Sequence, residues 1–138
     1  MEELDMEGSM EADMNNDADF DSIHSGEMEE CIQICLRTYR TCQETFFYCL
    51  QQGGAHHGLS HLQIMQSCAE VCRTSAQLMM LHSPFHHYLS KVCAEICKAC
   101  AESCEIMKDE EMQECARQCR ECAESCEMMS QMAKSKAV

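Results

Sequence analysis

The cysteines of this chain recur at steps of three and four residues. C-x-x-x-C occurs as CIQIC at 31–35, CAEVC at 68–72, CAEIC at 93–97 and CARQC at 115–119, and the last two extend to CAEICKACAESC at 93–104 and CARQCRECAESC at 115–126. Alternating steps of four and three average 3.5 residues, the repeat of the inward seam of a helix in a bundle. The seam continues in both directions from each ladder. It gives four stripes: Met28, Cys31, Cys35, Thr38, Cys42, Thr45, Cys49; His61, Met65, Cys68, Cys72, Ser75, Met79, His82; His86, Leu89, Cys93, Cys97, Cys100, Cys104, Met107; and Met112, Cys115, Cys119, Cys122, Cys126, Met129, Ala133. All 14 cysteines lie on these stripes, where free placement would put roughly two in seven.

Breaks fall where four helices need them. GGAHHG at 53–58 is a flexible turn, followed by Ser60 and Gln63 as a capping box. Ser83 and Pro84 suit an N-cap and a first helical residue, and Lys108-Asp109 suits a helix end followed by the next cap. The expected helices are 26–52, 59–82, 84–108 and 110–133. Short connections make neighbours antiparallel, so the expected fold is all-α: an up-down-up-down four-helix bundle with a Cys-lined core over residues 26–138. Residues 1–25 form a separate acidic tail carrying Met1, Met6, Met10 and Met14. Positions 1–30 hold 12 of the 24 acids and no Lys or Arg, leaving 12 acids against 10 bases in the rest. Such a tail is expected to be disordered.

Charge and hydropathy exclude several classes. A net charge of −14 argues against nucleic acid as a partner. No stretch approaches the roughly 20 apolar residues of a membrane span. The first residues lack the basic and apolar regions of a signal peptide, so a reducing cytoplasm is expected. An ordinary core is a poor explanation of the seam, because Leu at the same positions buries more apolar area than Cys. Disulfides fit poorly as well, since successive cysteines on one helical face point the same way.

Metal binding remains. Thiolates select soft ions: Cu(I), Zn(II) or iron–sulfur clusters. No Cys precedes Pro and no C-x-x-C-x-x-C run occurs, against iron–sulfur. Zinc asks for isolated tetrahedral Cys₄ sets, whereas Cys97–Cys100 and Cys119–Cys122 sit inside longer ladders. Cu(I) accepts two thiolates, and side chains at i and i+4 can supply them, so each C-x-x-x-C is a ready site. Bridging thiolates would then join the sites into a column. The candidate ligands are Cys31, Cys35, Cys42, Cys49, Cys68, Cys72, Cys93, Cys97, Cys100, Cys104, Cys115, Cys119, Cys122 and Cys126. No open catalytic position is evident, which suits a store rather than an enzyme. A zinc or general thiolate buffer is the first competing reading, and an iron–sulfur redox protein the second.

The ladders, above all CAEICKACAESC and CARQCRECAESC, resemble the bacterial copper storage proteins, four-helix bundles lined with cysteines that hold many Cu(I) ions. The resemblance covers residues 26–133. It implies cytosolic storage and detoxification of Cu(I), a homo-oligomer (commonly a tetramer), and exchange with a copper chaperone or small thiol. Helix 2 departs from the pattern, with Ser75 and Met79 where further thiols would fit. Soft donors at the bundle ends are candidate ports for the metal. Met28, Met79, Met129 and His82 mark one end, with His24, His86, His87, Met128 and Met132 near them; this end holds the greater concentration. His61, Met65, Met107 and Met112 mark the other, with His56 and His57 beside them. Loop histidines serve equally well as polar caps.

Overall fold

In the computed structural model of the chain, four α-helices follow one another: α1 (Glu2–Gln52), α2 (Leu59–Met80), α3 (His86–Glu105) and α4 (Glu110–Ala137). A turn of 3₁₀ helix at Gly54–His57 joins the first two. The structure describes the course of residues 2–137 and the side chains of residues 26–132. The disorder expected of the tail at 1–25 concerns residues outside those whose side chains are described, as do the placements of His24 and Ala133.

Each helix packs on two others, α1 and α3 both lying against α2 and α4. Their directions follow from which residues meet. Cys72 touches Cys93, while Cys68, one turn earlier, touches Cys97, one turn later. In the same sense Cys35 meets Cys126 and Cys42 meets Cys119 between α1 and α4. On the surface between α3 and α4, Arg120 reaches Glu105 and Lys98 reaches Glu127. The bundle is therefore antiparallel, up-down-up-down.

The cysteines of the four stripes point inward, and all 14 have no exposed surface. Beside them lies a second set of small residues. Ala69, Ala94, Ala101, Ala116 and Ala123 each follow a cysteine, and each is at most 4% exposed. A methyl group at the helix contact lets the axes close in, since interaxial distance is set by the side chains between them. That closeness is what allows thiols on facing helices to touch.

The helix ends differ from expectation in detail. α1 stops where Gly53 and Gly54 take φ of 80° and 59°, a left-handed region open to glycine. His57 Nε2 then donates to the Leu50 carbonyl at 2.9 Å, covering one of the last α1 acceptors. Ser60 does not cap α2: the cap is Gly58, whose carbonyl accepts from Leu62 N–H, and Ser60 lies inside the first turn. α2 ends two residues earlier than expected, at Met80, in a Schellman motif. Ser83 N–H bonds the Leu78 carbonyl, His82 N–H bonds the Met79 carbonyl, and His82 takes φ 53°. That motif sends Ser83 and Pro84 into a turn, where Ser83 Oγ accepts from Phe85 N–H at 3.1 Å, so α3 begins only at His86. α3 closes at Glu105, and Gln113 on α4 donates to the Met107 carbonyl at 2.6 Å, tying the two helices at their turn.

Capped ends and a core already in van der Waals contact make the bundle self-sufficient. The reduced, metal-free protein is expected to give a strongly helical far-UV circular dichroism spectrum. A coil spectrum that turned helical only on adding metal would contradict this.

Candidate metal centre

The thiols form one continuous file along the bundle axis. Cys31 lies 4.0 Å from Cys126, which is 3.6 Å from Cys35 and 3.9 Å from Cys122. Cys122 reaches Cys72 at 3.7 Å, and Cys72 reaches Cys93 at 3.7 Å and Cys97 at 3.6 Å. Cys97 leads to Cys68 at 3.6 Å, Cys68 to Cys119 at 3.9 Å, and Cys119 to Cys42 at 3.8 Å. Cys100, Cys104 and Cys115 continue the file beyond Cys42. Cys49 stands at its end.

Three sets of four sulfurs lie within 4.8 Å of one another: Cys35, Cys93, Cys122, Cys126; Cys72, Cys93, Cys97, Cys122; and Cys42, Cys68, Cys100, Cys119. The first two share Cys93 and Cys122. The third draws one thiol from each helix. This differs from the expected arrangement of paired thiols on single helices. Cys93–Cys97 and Cys122–Cys126 are indeed 3.9 Å apart, but contacts between helices are as short or shorter. With a metal–sulfur bond near 2.3 Å, two thiolates in line stand about 4.6 Å apart and three in a plane about 4.0 Å. The observed spacings favour ligands shared among helices.

Burial and mutual hydrogen bonding hold much of the file protonated. Cys49 is pushed up to about 11, first by burial and then by the nearby Cys115. Cys35 and Cys126 are raised far above the ordinary thiol range by their contacts with Cys122, and Cys42 by its contact with Cys100. Thiols that accept from a neighbour move the other way, Cys31 from Cys126 and Cys115 from Cys100. The raised thiols keep their protons, which a soft cation would displace.

The two ends of the file differ. At one, Cys49 Sγ lies 3.4 Å from His61 Nε2, 3.9 Å from Met65 Sδ and 3.7 Å from Met112 Sδ. Burial lowers the pKa of His61. Its Nδ1 lies 2.7 Å from Ser103 Oγ, and its Nε2 faces Cys49. One thiol, one imidazole and two thioethers make a mixed soft-donor set. Met107 is buried nearby in sequence to α4, after the last turn of α3. Over this end lies a polar cluster that nothing in the sequence marks. Tyr48 OH donates to Asp109 Oδ2, and His56 Nε2 meets the same oxygen at 3.0 Å. The Tyr48 hydrogen bond, ahead of that from His56, holds the Asp109 carboxyl below its usual range.

The opposite end is closed by thioethers, with histidines around it. Met79 is fully buried, Met129 is 4% exposed, and Met28 is half-buried against the core. His82, which the stripe placed on the seam, is exposed, because the left-handed turn at the end of α2 carries it outward. His86 and His87 are half-buried, and Met128 is exposed.

Among known proteins, the copper storage protein (Csp) profile matches residues 24–131. A cysteine-rich protein of Bacillus subtilis, YhjQ, is 32% identical over 76 residues, which are 55% of this chain and 70% of the relative. A crystal structure of a Nitrosospira multiformis protein is 42% identical, with a TM-score of 0.74 over 78% of this chain and 98% of that one. The Cu(I)-bound copper storage protein BsCsp3 is 32% identical, with a TM-score of 0.72 over 75% and 98%. A Streptomyces lividans Ccsp variant with two histidines replaced by alanine is 25% identical, with a TM-score of 0.72 over 77% and 94%. The stretch matched by the family profile takes in every cysteine of the file, and the chain belongs to the copper storage protein family.

Proposed function

We propose that the chain stores Cu(I), many ions at a time, as thiolate clusters inside the bundle. The observation that carries this reading is the sharing of Cys93 and Cys122 between two sulfur tetrads. Shared ligands are the means by which adjacent sites fuse into a cluster, whereas a structural zinc site closes on four ligands of its own. The reading includes cytosolic detoxification: 14 free thiols suit a reducing compartment, and ions held out of solvent cannot react there. It assigns the chain a storage role rather than a catalytic one, in keeping with thiol ligands that are fully buried. Exposed Phe47, Leu59, Leu81, Phe85, Tyr88 and Ile106 suit contacts between subunits of a homo-oligomer, a tetramer by family resemblance. The chain exchanges copper with a chaperone or small thiol in this reading. Zinc is the second reading, on the unshared tetrad Cys42, Cys68, Cys100, Cys119.

Anaerobic titration of the reduced protein against a tight Cu(I) chelator is expected to give between about seven and about fourteen ions per chain, from unshared pairs to full bridging. A plateau at one to four ions would favour discrete sites and defeat storage. Zinc titration is expected to saturate far lower.

The port is proposed at the Cys49 end. There the mixed donor set, itself buried, touches the file directly, and its cover is a hydrogen-bonded polar cluster; buried Met79 and Met129 close the other end. Thioethers and neutral imidazole bind Cu(I) without losing a proton and release it more readily than thiolate. His61→Leu with Met65→Leu and Met112→Leu is expected to slow uptake and removal by about tenfold or more while leaving capacity within about one ion. Slowing by Met28→Leu, Met79→Leu and Met129→Leu instead would place the port at the end that the sequence favoured.

Metal-free stability is expected to fall in alkali. A thiol whose pKa is higher folded than unfolded stabilises the fold fully below its unfolded value and ceases to do so as pH rises through its folded one. For Cys49 that window runs from the ordinary thiol value of 9.0 to about 11. Thermal melting of the reduced protein is therefore expected to be flat near neutrality and to decline across that range. A Tm unchanged through pH 11 would contradict the assignment.

A further inference from the structure

Two hydroxyls of the core, Ser75 Oγ and Ser90 Oγ, are buried without a hydrogen-bond partner, and both residues have no exposed surface. A third hydroxyl of the core behaves differently. Thr38 Oγ1 donates to the Ile34 carbonyl at 2.7 Å and accepts from Gln118 Nε2 at 3.0 Å. Serine within a helix commonly turns its hydroxyl back to the carbonyl a turn earlier, as Thr38 does. Ser75 and Ser90 make no such bond, although a buried hydroxyl left unpaired destabilises the state that contains it. Alanine would fill either position without that cost.

Their placement points to the missing acceptor. Ser75 lies three residues after Cys72 and Ser90 three before Cys93, and the sulfurs of Cys72 and Cys93 are 3.7 Å apart. The antiparallel register of α2 and α3 therefore sets the serines opposite one another, one layer beyond this pair on the Met79 side. A thiol sulfur accepts hydrogen bonds weakly, but a thiolate accepts them strongly. Cys93 belongs to two sulfur tetrads, so it loses its proton once either set takes up Cu(I).

We propose that Ser75 and Ser90 are positioning donors for the metal-bound state, unpaired in the free protein and hydrogen-bonded to the Cys72 and Cys93 thiolates once Cu(I) is in place. This rests on the storage reading above. The step balances simply: each Cu(I) forms a bond to sulfur, the S–H proton leaves to solvent, and the serine keeps its own proton while donating it. The pair thus makes the free protein less stable and this layer a tighter holder of copper.

The test uses the full chain with Ser75→Ala and Ser90→Ala, singly and together. The metal-free double variant is expected to melt about 4–8 °C higher than the parent. Capacity for Cu(I) is expected to be unchanged, while the slowest phase of removal by an excess of chelator quickens about tenfold, with smaller effects in the single variants. Loss of a merely structural contact would lower stability in both states and could not produce these opposite signs. Normal loading with unchanged removal would overturn the proposal, placing a buried water on the two hydroxyls. A chain that took up no Cu(I) at all would defeat the storage reading as well.

Discussion

Contact between sulfur atoms at 3.6–4.0 Å, repeated from Cys31 to Cys42, is the constraint on which the rest of this bundle depends. Thiol side chains are short, so they meet across the axis only if the helices lie close. The buried alanines that follow Cys68, Cys93, Cys100, Cys115 and Cys122 permit that approach. Bulkier residues there would separate the helices and turn the file into four unconnected ladders. The motif C-A-E is therefore three instructions in three letters: a ligand for the core, a spacer for the helix contact, and a charged group for water.

Such a core is unusual in how little apolar surface it hides. Its larger members are Met65, Met79 and Met112, fully buried near the ends, with Ile32, Ile34 and Val71 along the flanks. What the file lacks in hydrophobic area is offset by dense packing, which suits the polarizable sulfur atom. The surface ion pairs, such as Arg37 with Glu121 and Lys98 with Glu127, are exposed and add little. They serve to register one helix against the next.

The heptad-like placement of the cysteines made the bundle and its lining legible, because a period of 3.5 is a property of sequence alone. Helix ends were less so. Ser60 and Ser83 both look like caps, yet the φ of Gly58 and the turn around His82 decide where the helices begin, and those depend on how the chain crosses from one helix to the next. His82 illustrates the limit: the stripe extrapolates through it, while the left-handed backbone takes it out of line. The Tyr48–Asp109–His56 cluster joins residues 61 positions apart in the chain, and no periodicity announces it. The same holds for the grouping of thiols across helices, since spacing along one helix is silent about which sulfur stands opposite. The alanine after the cysteine was readable, and its five repetitions are the signal that could have foretold how tightly the helices approach.

A file of sulfurs only one layer wide also has an order. Neighbouring layers touch, as where Cys122 passes to Cys72 at 3.7 Å and Cys97 to Cys68 at 3.6 Å. Anything carried along such a file advances by exchange of partners between adjacent layers. With the port proposed at the Cys49 end, the interior would work as a stack: the deepest layer would fill from what entered first and empty last. The age of a stored ion is then written in its distance from the mouth. A cell drawing on the store is served from recent arrivals, while the innermost layer is a reserve reached only when the rest has been spent.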